Sequence, residues 1–329
     1  MNDVSEREGS GADAPVSVSP AGHTILVTGA TGRQGEAVAR RLMAKGWPVR
    51  IMTRDPDQKI AMELAALGAE VAVGDLTDRE SLHRAVRGVY GVYSVQNYWM
   101  HGFDEEVRQG KRLADVARAE DVGHFVYSSA GGVSRTDGLG ITHLDSKFVI
   151  ERHIEAIGLP YTVFRPVTFF ENFITPRFIK RIFRKGMLYT PIRDGIDFQM
   201  VALEDVGSFV EIAFANRDRF LYTEREIASD AFTMSAFAAE IGKVIGKPLI
   251  HRQMSPAVLK LVTEIVERTR TTGHFGIGRP TYAQLRWNNS GAAGGWAARI
   301  GELRRFHPGL LTMPEWVASI DWQGLRKGR

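Results

Sequence analysis

The chain has 329 residues, of which 44% are hydrophobic and 24% charged, with a net charge of +4 and no cysteine. This composition is typical of a globular protein, and the small surplus of positive charge does not favour nucleic-acid binding. The lack of cysteine excludes disulfides, thiolate catalysis and cysteine-metal sites, and it fits a cytoplasmic location.

The first 21 residues differ in composition from the rest of the chain. They are rich in Ser, Gly, Ala and acidic residues and contain Pro15 and Pro20, so we expect residues 1–21 to be a disordered tail. They lack the apolar core of a signal peptide. No apolar run in the sequence reaches the roughly 18 residues that a membrane-spanning helix needs, and we expect no membrane contact.

From residue 23 onward, short apolar runs alternate with helical patterns. The predicted strands are 23–28, 47–53, 70–73, 91–95, 123–128 and 161–165. The predicted helices between them are 36–45, 58–67, 78–86, 104–120 and 142–157. Gly46 and Gly68 are expected to end the first two helices. Strands alternating with helices predict an α/β fold with a parallel, doubly wound Rossmann sheet.

The alternation loosens after Arg165-Pro166. Further helices are predicted at 204–215, 233–245 and 256–269, and further strands at 198–202 and 225–228. We therefore divide the chain into a Rossmann domain over residues 22–171 and a smaller C-terminal α+β substrate lobe over 172–329. The lobe is expected to be interwoven with the Rossmann sheet.

A glycine-rich loop, Gly29-Ala30-Thr31-Gly32-Arg33-Gln34-Gly35, joins the first predicted strand to the first helix. Gly29 permits a tight turn, Gly32 lets the backbone approach a pyrophosphate, and Gly35 lets the helix pack on the strand. The pyrophosphate then lies at the positive end of the helix dipole. The alternative is a glycine turn that only packs, but the strand before and the helix after favour dinucleotide binding.

The second strand ends in Thr53-Arg54-Asp55-Pro56, where an NAD-selective site carries an acid for the ribose 2′-hydroxyl. The Arg54 guanidinium suits the additional phosphate of NADP, with Arg33 and Lys59 as further cations. In the alternative interpretation, Arg54 is a solvated surface residue and Asp55 binds the ribose. We expect NADP(H) as the cofactor.

Asp75 ends the third predicted strand, in Val73-Gly74-Asp75-Leu76. Its carboxylate can accept a hydrogen bond from the adenine amino group while Leu76 packs on the ring. It can equally cap the helix that begins near Asp78. The sequence supports both interpretations.

The segments VTGATGRQG, VRIMTRDP, GDLTD, VQNYWM and RPVTFFENF together resemble the NmrA-like group of atypical short-chain dehydrogenases/reductases, and its redox-sensor type in particular. The resemblance runs from about residue 23 to the C-terminus and implies a Rossmann domain, an NADP(H) site and a smaller C-terminal lobe. It places cofactor contacts on Gly29, Ala30, Thr31, Gly32, Arg33, Gln34, Arg54, Asp55, Pro56, Asp57, Gln58, Asp75, Leu76, Gln96, Asn97, Tyr98, Lys147, Phe169, Phe170, Glu171 and Asn172. Gln58 departs from the sensor pattern, which has a basic residue there, and Lys59 is the neighbouring cation.

Ordinary short-chain dehydrogenases use a Tyr four residues before a Lys, and a Ser at an earlier strand end. Here Lys147 is preceded at that spacing by His143, on the same helix face, and Ser128 and Ser129 end the preceding strand. Ser129, His143 and Lys147 are therefore the candidate catalytic residues. The alternative is that His143 has no chemical role. By analogy, a comparable Lys is the acid/base in reductases of the isoflavone-reductase type, which favours Lys147.

Two functions are consistent with these motifs. The first is an NADPH-dependent reductase of a small apolar or aromatic carbonyl, imine or quinone, which the aromatic residues Tyr98 and Trp99 near the predicted pocket favour. The second is a non-catalytic NADP(H) redox sensor that acts through a protein partner, which the missing Tyr favours. No helix-turn-helix pattern, arginine-rich stripe or metal-ligand spacing appears, so we expect neither direct nucleic-acid binding nor a metal site.

Overall fold

The computed structural model describes residues 17–268, 279–291 and 295–328. Most of the predicted disordered tail, residues 1–16, lies outside the described residues. Within the described part of that segment, the N–H of Val18 donates a 2.7 Å hydrogen bond to the carbonyl of Ala215, and the Val18 side chain packs against the main core.

The strands and helices have the following bounds. The strands are β1 (Ile25–Val27), β2 (Val49–Thr53), β3 (Glu70–Val73), β4 (Gly91–Ser94), β5 (His124–Ser128), β6 (Tyr161–Pro166), β7 (Thr168–Phe169), β8 (Met187–Thr190), β9 (Phe198–Val201), β10 (Thr223–Ile227), β11 (Asp230–Phe232) and β12 (Ile250–Gln253). The helices are α1 (Arg33–Ala44), α2 (Lys59–Ala66), α3 (Arg79–Val86), α4 (Tyr98–Ala119), α5 (Thr142–Ala156), α6 (Pro176–Lys185), α7 (Leu203–Ala215), α8 (Arg217–Phe220), α9 (Met234–Ile245), α10 (Pro256–Arg268), α11 (Arg279–Asn288), α12 (Ile300–Phe306), α13 (Met313–Ser319) and α14 (Trp322–Arg326).

Seven parallel strands form the central sheet, in the order β10-β6-β5-β4-β1-β2-β3. Strands β1, β4, β5 and β6 are buried along their whole length, because helices cover both faces of the sheet. The strand order reverses between β1 and β4, which opens a crevice at the carboxyl ends of the strands. The predicted doubly wound Rossmann fold is confirmed.

Every strand and helix predicted up to residue 165 is present, and most bounds agree within two or three residues. The largest difference is α4, which begins at Tyr98 rather than at residue 104. Its helical turns are interrupted at Gly102, whose φ of 75° and ψ of −177° are not helical. Glycine adopts such a positive φ without the steric cost that a Cβ would add.

The rest of the chain builds smaller sheets and returns to the central one. Strand β9 pairs parallel with β7 and antiparallel with β11, and β12 pairs parallel with β8. Strand β10 joins the central sheet beside β6, from Thr223 opposite Thr162 to Ile227 opposite Pro166. The predicted helix 256–269 corresponds to α10, and its last residue lies outside the described residues. The division of the chain at residue 172 stays a prediction.

Two large apolar clusters hold these layers together. The first lies between the central sheet, α1, α7 and the C-terminal helices, and the second lies between the sheet and α3, α4 and α5. In the described part of the chain, no helix is long and apolar enough to cross a bilayer.

Candidate functional site

A cleft of about 1120 Å³ opens at the carboxyl ends of β1 to β6, where the C-terminal segments cover the sheet edge. Most of the residues predicted to bind cofactor line this cleft: Gly29, Thr31, Gly32, Arg33, Gln34, Gly35, Thr53, Arg54, Asp55, Gln58, Asp75, Leu76, Gln96, Asn97, Tyr98, Lys147, Phe169, Glu171 and Asn172. The three candidate catalytic residues, Ser129, His143 and Lys147, line it as well. The structure thus brings together residues that are spread along the sequence from Gly29 to Asn172.

Four predicted contact residues do not line the cleft. Ala30, within the glycine loop, is fully buried, and Pro56 and Asp57 lie exposed in the turn after β2. Phe170 is fully buried and stacks between Phe232 and Trp316, with ring centroids 5.6 and 4.8 Å away. Phe170 points into the core because a short 3-10 turn begins there and rotates its side chain away from that of Phe169.

The glycine loop has the geometry that phosphate binding requires. Gly29 has a φ of +62°, and a Cβ on Gly35 would lie 2.2 Å from the Gly29 carbonyl oxygen, so both positions need glycine. Gly32 caps α1 without any side-chain hydrogen bond, and the first residues of the helix line the cleft. Among the residues that the structure describes, no side chain caps that first turn, so its N–H groups can bind an anion.

Gln34 connects the glycine loop to the two strands beyond it. Its Nε2 donates a 2.7 Å hydrogen bond to Tyr93 Oη on β4 and a second hydrogen bond to Ser128 Oγ on β5. Burial raises the pKa of Tyr93 well above its usual value, so this residue remains a neutral phenol. Gln34 therefore fixes the loop against the strand ends that form the floor of the cleft.

Arg54 and Asp75 follow β2 and β3 at the edge of the central sheet, and both line the cleft. The Arg54 side chain is 64% exposed, and its Nε lies 3.8 Å from Asp75 Oδ2. Asp75 Oδ1 accepts hydrogen bonds from the N–H and the hydroxyl of Thr77, both 2.7 Å long. Although partial burial acts in the other direction, these hydrogen bonds and the charge of Arg54 lower the pKa of Asp75. The helix-capping interpretation of Asp75 is wrong, because the cap of α3 is Asp78, which accepts from the Glu80 N–H.

Lys147 lies on α5 and lines the cleft. Its Nζ donates a 2.7 Å hydrogen bond to Oε1 of Glu106, a fully buried residue of α4, and Ser146 Oγ donates to the other carboxylate oxygen. The Lys147 side chain is 14% exposed and Glu106 is completely inaccessible. Sequence reasoning missed Glu106 because it lies 41 residues before Lys147, on a different helix, and no motif links the two.

His143 lies near Lys147, but its low pKa prevents it from acting as a cationic acid. Burial, with a smaller contribution from the Lys147 charge, lowers the pKa of His143 to about 4. Its Nε2 lies 2.9 Å from Gln284 Oε1, and its ring packs against Trp99 at 4.9 Å between centroids. At neutral pH the imidazole is uncharged, so it cannot supply a proton as imidazolium.

Ser129 is buried at the end of β5. Its N–H donates to the Phe164 carbonyl, and its hydroxyl has no hydrogen-bond partner among residues 17–268, 279–291 and 295–328. Because Ser129 lines the cleft, this hydroxyl can bind a ligand there. Its neighbour Ser128 is already engaged by Gln34.

The C-terminal segments give the cleft an aromatic wall, which we define as Phe169, Phe173, Phe178, Phe198 and Trp296. Of these five residues, only Phe169 was predicted from the sequence, since the approach of the others depends on how the C-terminal lobe folds back. Within the described ranges, no group of His, Asp and Glu is arranged to hold a metal ion.

Glu171 joins the glycine loop to the C-terminal segments. Its main-chain carbonyl accepts a 3.2 Å hydrogen bond from Arg33, and its Oε1 accepts from the Leu203 N–H and from Trp316 Nε1. Burial raises the pKa of Glu171. The residue therefore acts as a junction between the predicted phosphate-binding loop and the helices that close the cleft.

Comparison with known proteins agrees with this architecture. A (4-alkanoyl-5-oxo-2,5-dihydrofuran-3-yl)methyl phosphate reductase of Streptomyces griseus subsp. griseus is 30% identical over 295 residues, which cover 84% of this chain and 98% of the reductase. A triphenylmethane reductase of Citrobacter sp., crystallised with NADP(H), has a TM-score of 0.71 at 22% identity, over 89% of this chain and 98% of the reductase. NmrA, a negative transcriptional regulator crystallised with NADP, has a TM-score of 0.68 at 19% identity, over 92% of this chain and 99% of NmrA.

The two structural similarities show a shared fold. The model of the NmrA-like family matches residues 21–284, which is most of the sequence and includes the glycine loop, the α4–α5 pair and the aromatic wall up to Phe198. This chain belongs to the NmrA-like family.

Proposed function

We propose that this protein is an NADPH-dependent reductase of a small apolar or aromatic carbonyl, imine or quinone. One observation carries the proposal: a single cleft joins the glycine loop and Arg54 at one end to Lys147 and the aromatic wall at the other. A dinucleotide and a small second molecule therefore fit side by side at the topological switch point of the sheet.

The cofactor end of the cleft fits NADP(H). The uncapped first turn of α1 suits the pyrophosphate, and the exposed Arg54 guanidinium suits a phosphate on the adenosine ribose. The triphenylmethane reductase that shares this fold was crystallised with NADP(H), which supports the same assignment. Bound NADPH would supply a hydride to the substrate.

Lys147 is the residue that we assign to proton supply. Reduction of a carbonyl adds a hydride to carbon and a proton to oxygen, and the oxygen becomes increasingly negative as the hydride arrives. The Lys147 ammonium can donate a hydrogen bond to that oxygen and then the proton itself. The partial exposure of Lys147 gives solvent access to replace the proton.

His143 and Ser129 then have supporting roles. His143 is uncharged and hydrogen-bonded to Gln284, so it shapes the pocket wall. The free Ser129 hydroxyl is available to hydrogen-bond a carbonyl or a carboxamide in the cleft. The aromatic wall favours a flat, apolar substrate, because edge and face contacts with Phe and Trp rings stabilise aromatic ligands.

The proposal is tested by steady-state turnover of NADPH with a panel of aryl ketones, imines and quinones. We expect NADPH oxidation with at least one class, and a loss of about 100-fold or more in kcat for Lys147→Met, the order expected when a general acid is removed. Lys45→Met is the matched control, since Lys45 is exposed and does not line the cleft. Equal turnover by both variants would contradict the role of Lys147.

The second candidate function is a redox sensor that acts through a protein partner. It is favoured by the absence of a Tyr four residues before Lys147, where the neutral His143 stands, and by the shared fold with a transcriptional regulator. A sensor would bind NADPH and NADP with different affinities and turn over none of the panel. NADPH oxidation that is lost in Lys147→Met would exclude a purely sensory role.

A further inference from the structure

We propose that Glu106 is a positioning residue for Lys147: its buried carboxylate holds the ammonium at the cleft wall in the orientation that ligand binding and proton donation require. This inference rests on the proposed function for its catalytic part, but its binding part stands separately. It is carried by the arrangement of Glu106, Ser146 and Lys147 between α4 and α5.

The geometry fixes each member of this group. Glu106 is fully buried, and its two carboxylate oxygens have different donors: Lys147 Nζ at 2.7 Å on Oε1 and Ser146 Oγ on Oε2. Of these three residues, only Lys147 lines the cleft. The Glu106 carboxylate therefore lies behind the lysine, on the side away from a bound ligand. An ammonium has three N–H donors, and one of them is directed at Glu106, which leaves two for a ligand.

The complete burial of the Glu106 carboxylate needs a physical explanation. Removing a charge from water is unfavourable, and a buried ion pair often stabilises a fold no better than well-packed apolar residues do. A simple role in holding α4 against α5 therefore does not account for a fully buried glutamate. The Glu106 carboxylate also lies close to β5, where its charge adds to burial in raising the pKa of Tyr127.

The ion pair with Glu106 restricts the position of the Lys147 ammonium. A lysine has four rotatable bonds, and without a partner its ammonium would sample many positions in the cleft mouth. With one N–H held by Glu106 and with the carboxylate oriented by Ser146, the Nζ atom occupies one place on the wall. Misplacement of a reacting group by about 1 Å can cost 100-fold in rate, so this constraint is large enough to matter.

A double-mutant cycle separates positioning from structural support. The variants are Glu106→Gln, which keeps the shape and removes the charge, Lys147→Met, and the two combined. The readouts are the NADPH dissociation constant, measured by fluorescence, and kcat and KM for the best substrate. If Glu106 acts through Lys147, Glu106→Gln weakens NADPH binding severalfold and lowers kcat by about 10- to 100-fold, while the same change on the Lys147→Met background alters neither.

Two further variants serve as controls for the double-mutant cycle. Glu105→Gln, in the adjacent and more exposed position that pairs with Arg108, should behave as wild type. Should Glu106→Gln fold poorly, Ser146→Ala removes only the hydroxyl that orients the carboxylate, and it should show a smaller loss with the same non-additivity. Additive losses on both backgrounds would overturn the proposal. If no substrate is turned over, the reductase assignment fails, and the NADPH-binding cycle still decides the role of Glu106.

Discussion

The Nε of Arg54 lies 3.8 Å from the carboxylate of Asp75, so the cation that we assign to the 2′-phosphate faces a carboxylate of its own chain. Both side chains line the same end of the cleft. Because Arg54 is largely exposed, this ion pair contributes little to stability. The pair instead affects which cofactor binds, because the Asp75 carboxylate attracts the Arg54 guanidinium and repels a phosphate that would bind to it.

We predict that Arg54→Gln separates the two nicotinamide cofactors. A hydrogen bond to a charged group contributes about 1.5–3 kcal/mol, so NADPH binding should weaken by about 10- to 100-fold while NADH binding stays nearly constant. Fluorescence titration with both reduced cofactors measures this. Equal weakening of both cofactors, or tighter binding of NADH by the wild type, would show that Arg54 does not bind the phosphate.

Asp75→Asn is predicted to act in the opposite direction. Asparagine keeps an oxygen acceptor for the Thr77 N–H and removes the charge that competes for Arg54. NADPH affinity should rise by a few-fold at low ionic strength, and the gain should shrink as salt screens these exposed charges. An unchanged affinity at low salt would mean that the carboxylate does not oppose the phosphate.

Two glycines of the loop should fail in different ways when they are replaced by alanine. A Cβ at position 35 would meet the Gly29 carbonyl oxygen at 2.2 Å, so Gly35→Ala must displace backbone and should cost about 1–3 kcal/mol of stability. At Gly32 a Cβ would lie 3.3 Å from the Gly29 carbonyl oxygen, a tight contact that a small shift relieves, so Gly32→Ala should lower Tm much less than Gly35→Ala does. It should instead weaken NADPH binding by about tenfold or more, because the methyl group occupies the approach of the pyrophosphate.

Calorimetry and cofactor titration on both variants check this contrast. A large fall in Tm for Gly32→Ala, or normal stability for Gly35→Ala, would contradict the separate roles given to the two positions.

Local pattern was enough to predict the Rossmann half of the fold. Strand β3 was predicted with its observed bounds because its flanking glycines, Gly68 and Gly74, mark both of its ends. The short strands β7, β8, β11 and β12 were not predicted, since two to four residues give no periodicity and their pairing is decided by the fold around them. The same holds for the helices α8, α12, α13 and α14, each of seven residues or fewer. Helices α6 and α11, of ten residues each, were also not predicted.

The candidate site likewise contains residues that the sequence predicts and residues that it does not. Gly29, Gly32 and Arg54 belong to a contiguous motif whose chemistry can be inferred from spacing. Glu106 and Gln284 contact Lys147 and His143 only because separate helices meet in space, and nothing in the sequence marks that approach. Burial, which makes His143 neutral, also follows from the complete fold.

His143 makes the protein sensitive to acid. Its pKa is about 4 in the folded state and 6.5 when unperturbed, so between these values the unfolded chain binds the additional proton. Stability therefore rises with pH across this window and is lost as pH falls from 6.5 towards 4, by about 3 kcal/mol for this residue. His124, whose pKa burial lowers to about 3, adds a loss of the same sign.

Urea unfolding at several pH values between 7.5 and 4.5 tests this prediction. His143→Gln should reduce the acid-induced loss of stability and leave the pH dependence of kcat/KM between 6 and 8 unchanged, since the imidazole does not titrate there. A rate profile that loses a step near pH 6.5 in this variant would show instead that His143 titrates during turnover.

The central claim is that the cleft transfers a hydride from NADPH to a small molecule beside Lys147. The most direct measurement uses NADPH with two deuterium atoms at the nicotinamide C4, with the aryl ketone or imine of the panel that is turned over fastest, and mass spectrometry of the product, because a reduced ketone or imine keeps the transferred atom on carbon whereas a hydroquinone does not. We predict one deuterium on the reduced carbon of the product, formed about 100-fold more slowly or less by Lys147→Met and at the wild-type rate by Lys45→Met. A product without deuterium, or no product with any substrate while NADPH still binds, would contradict the reductase and favour the sensor.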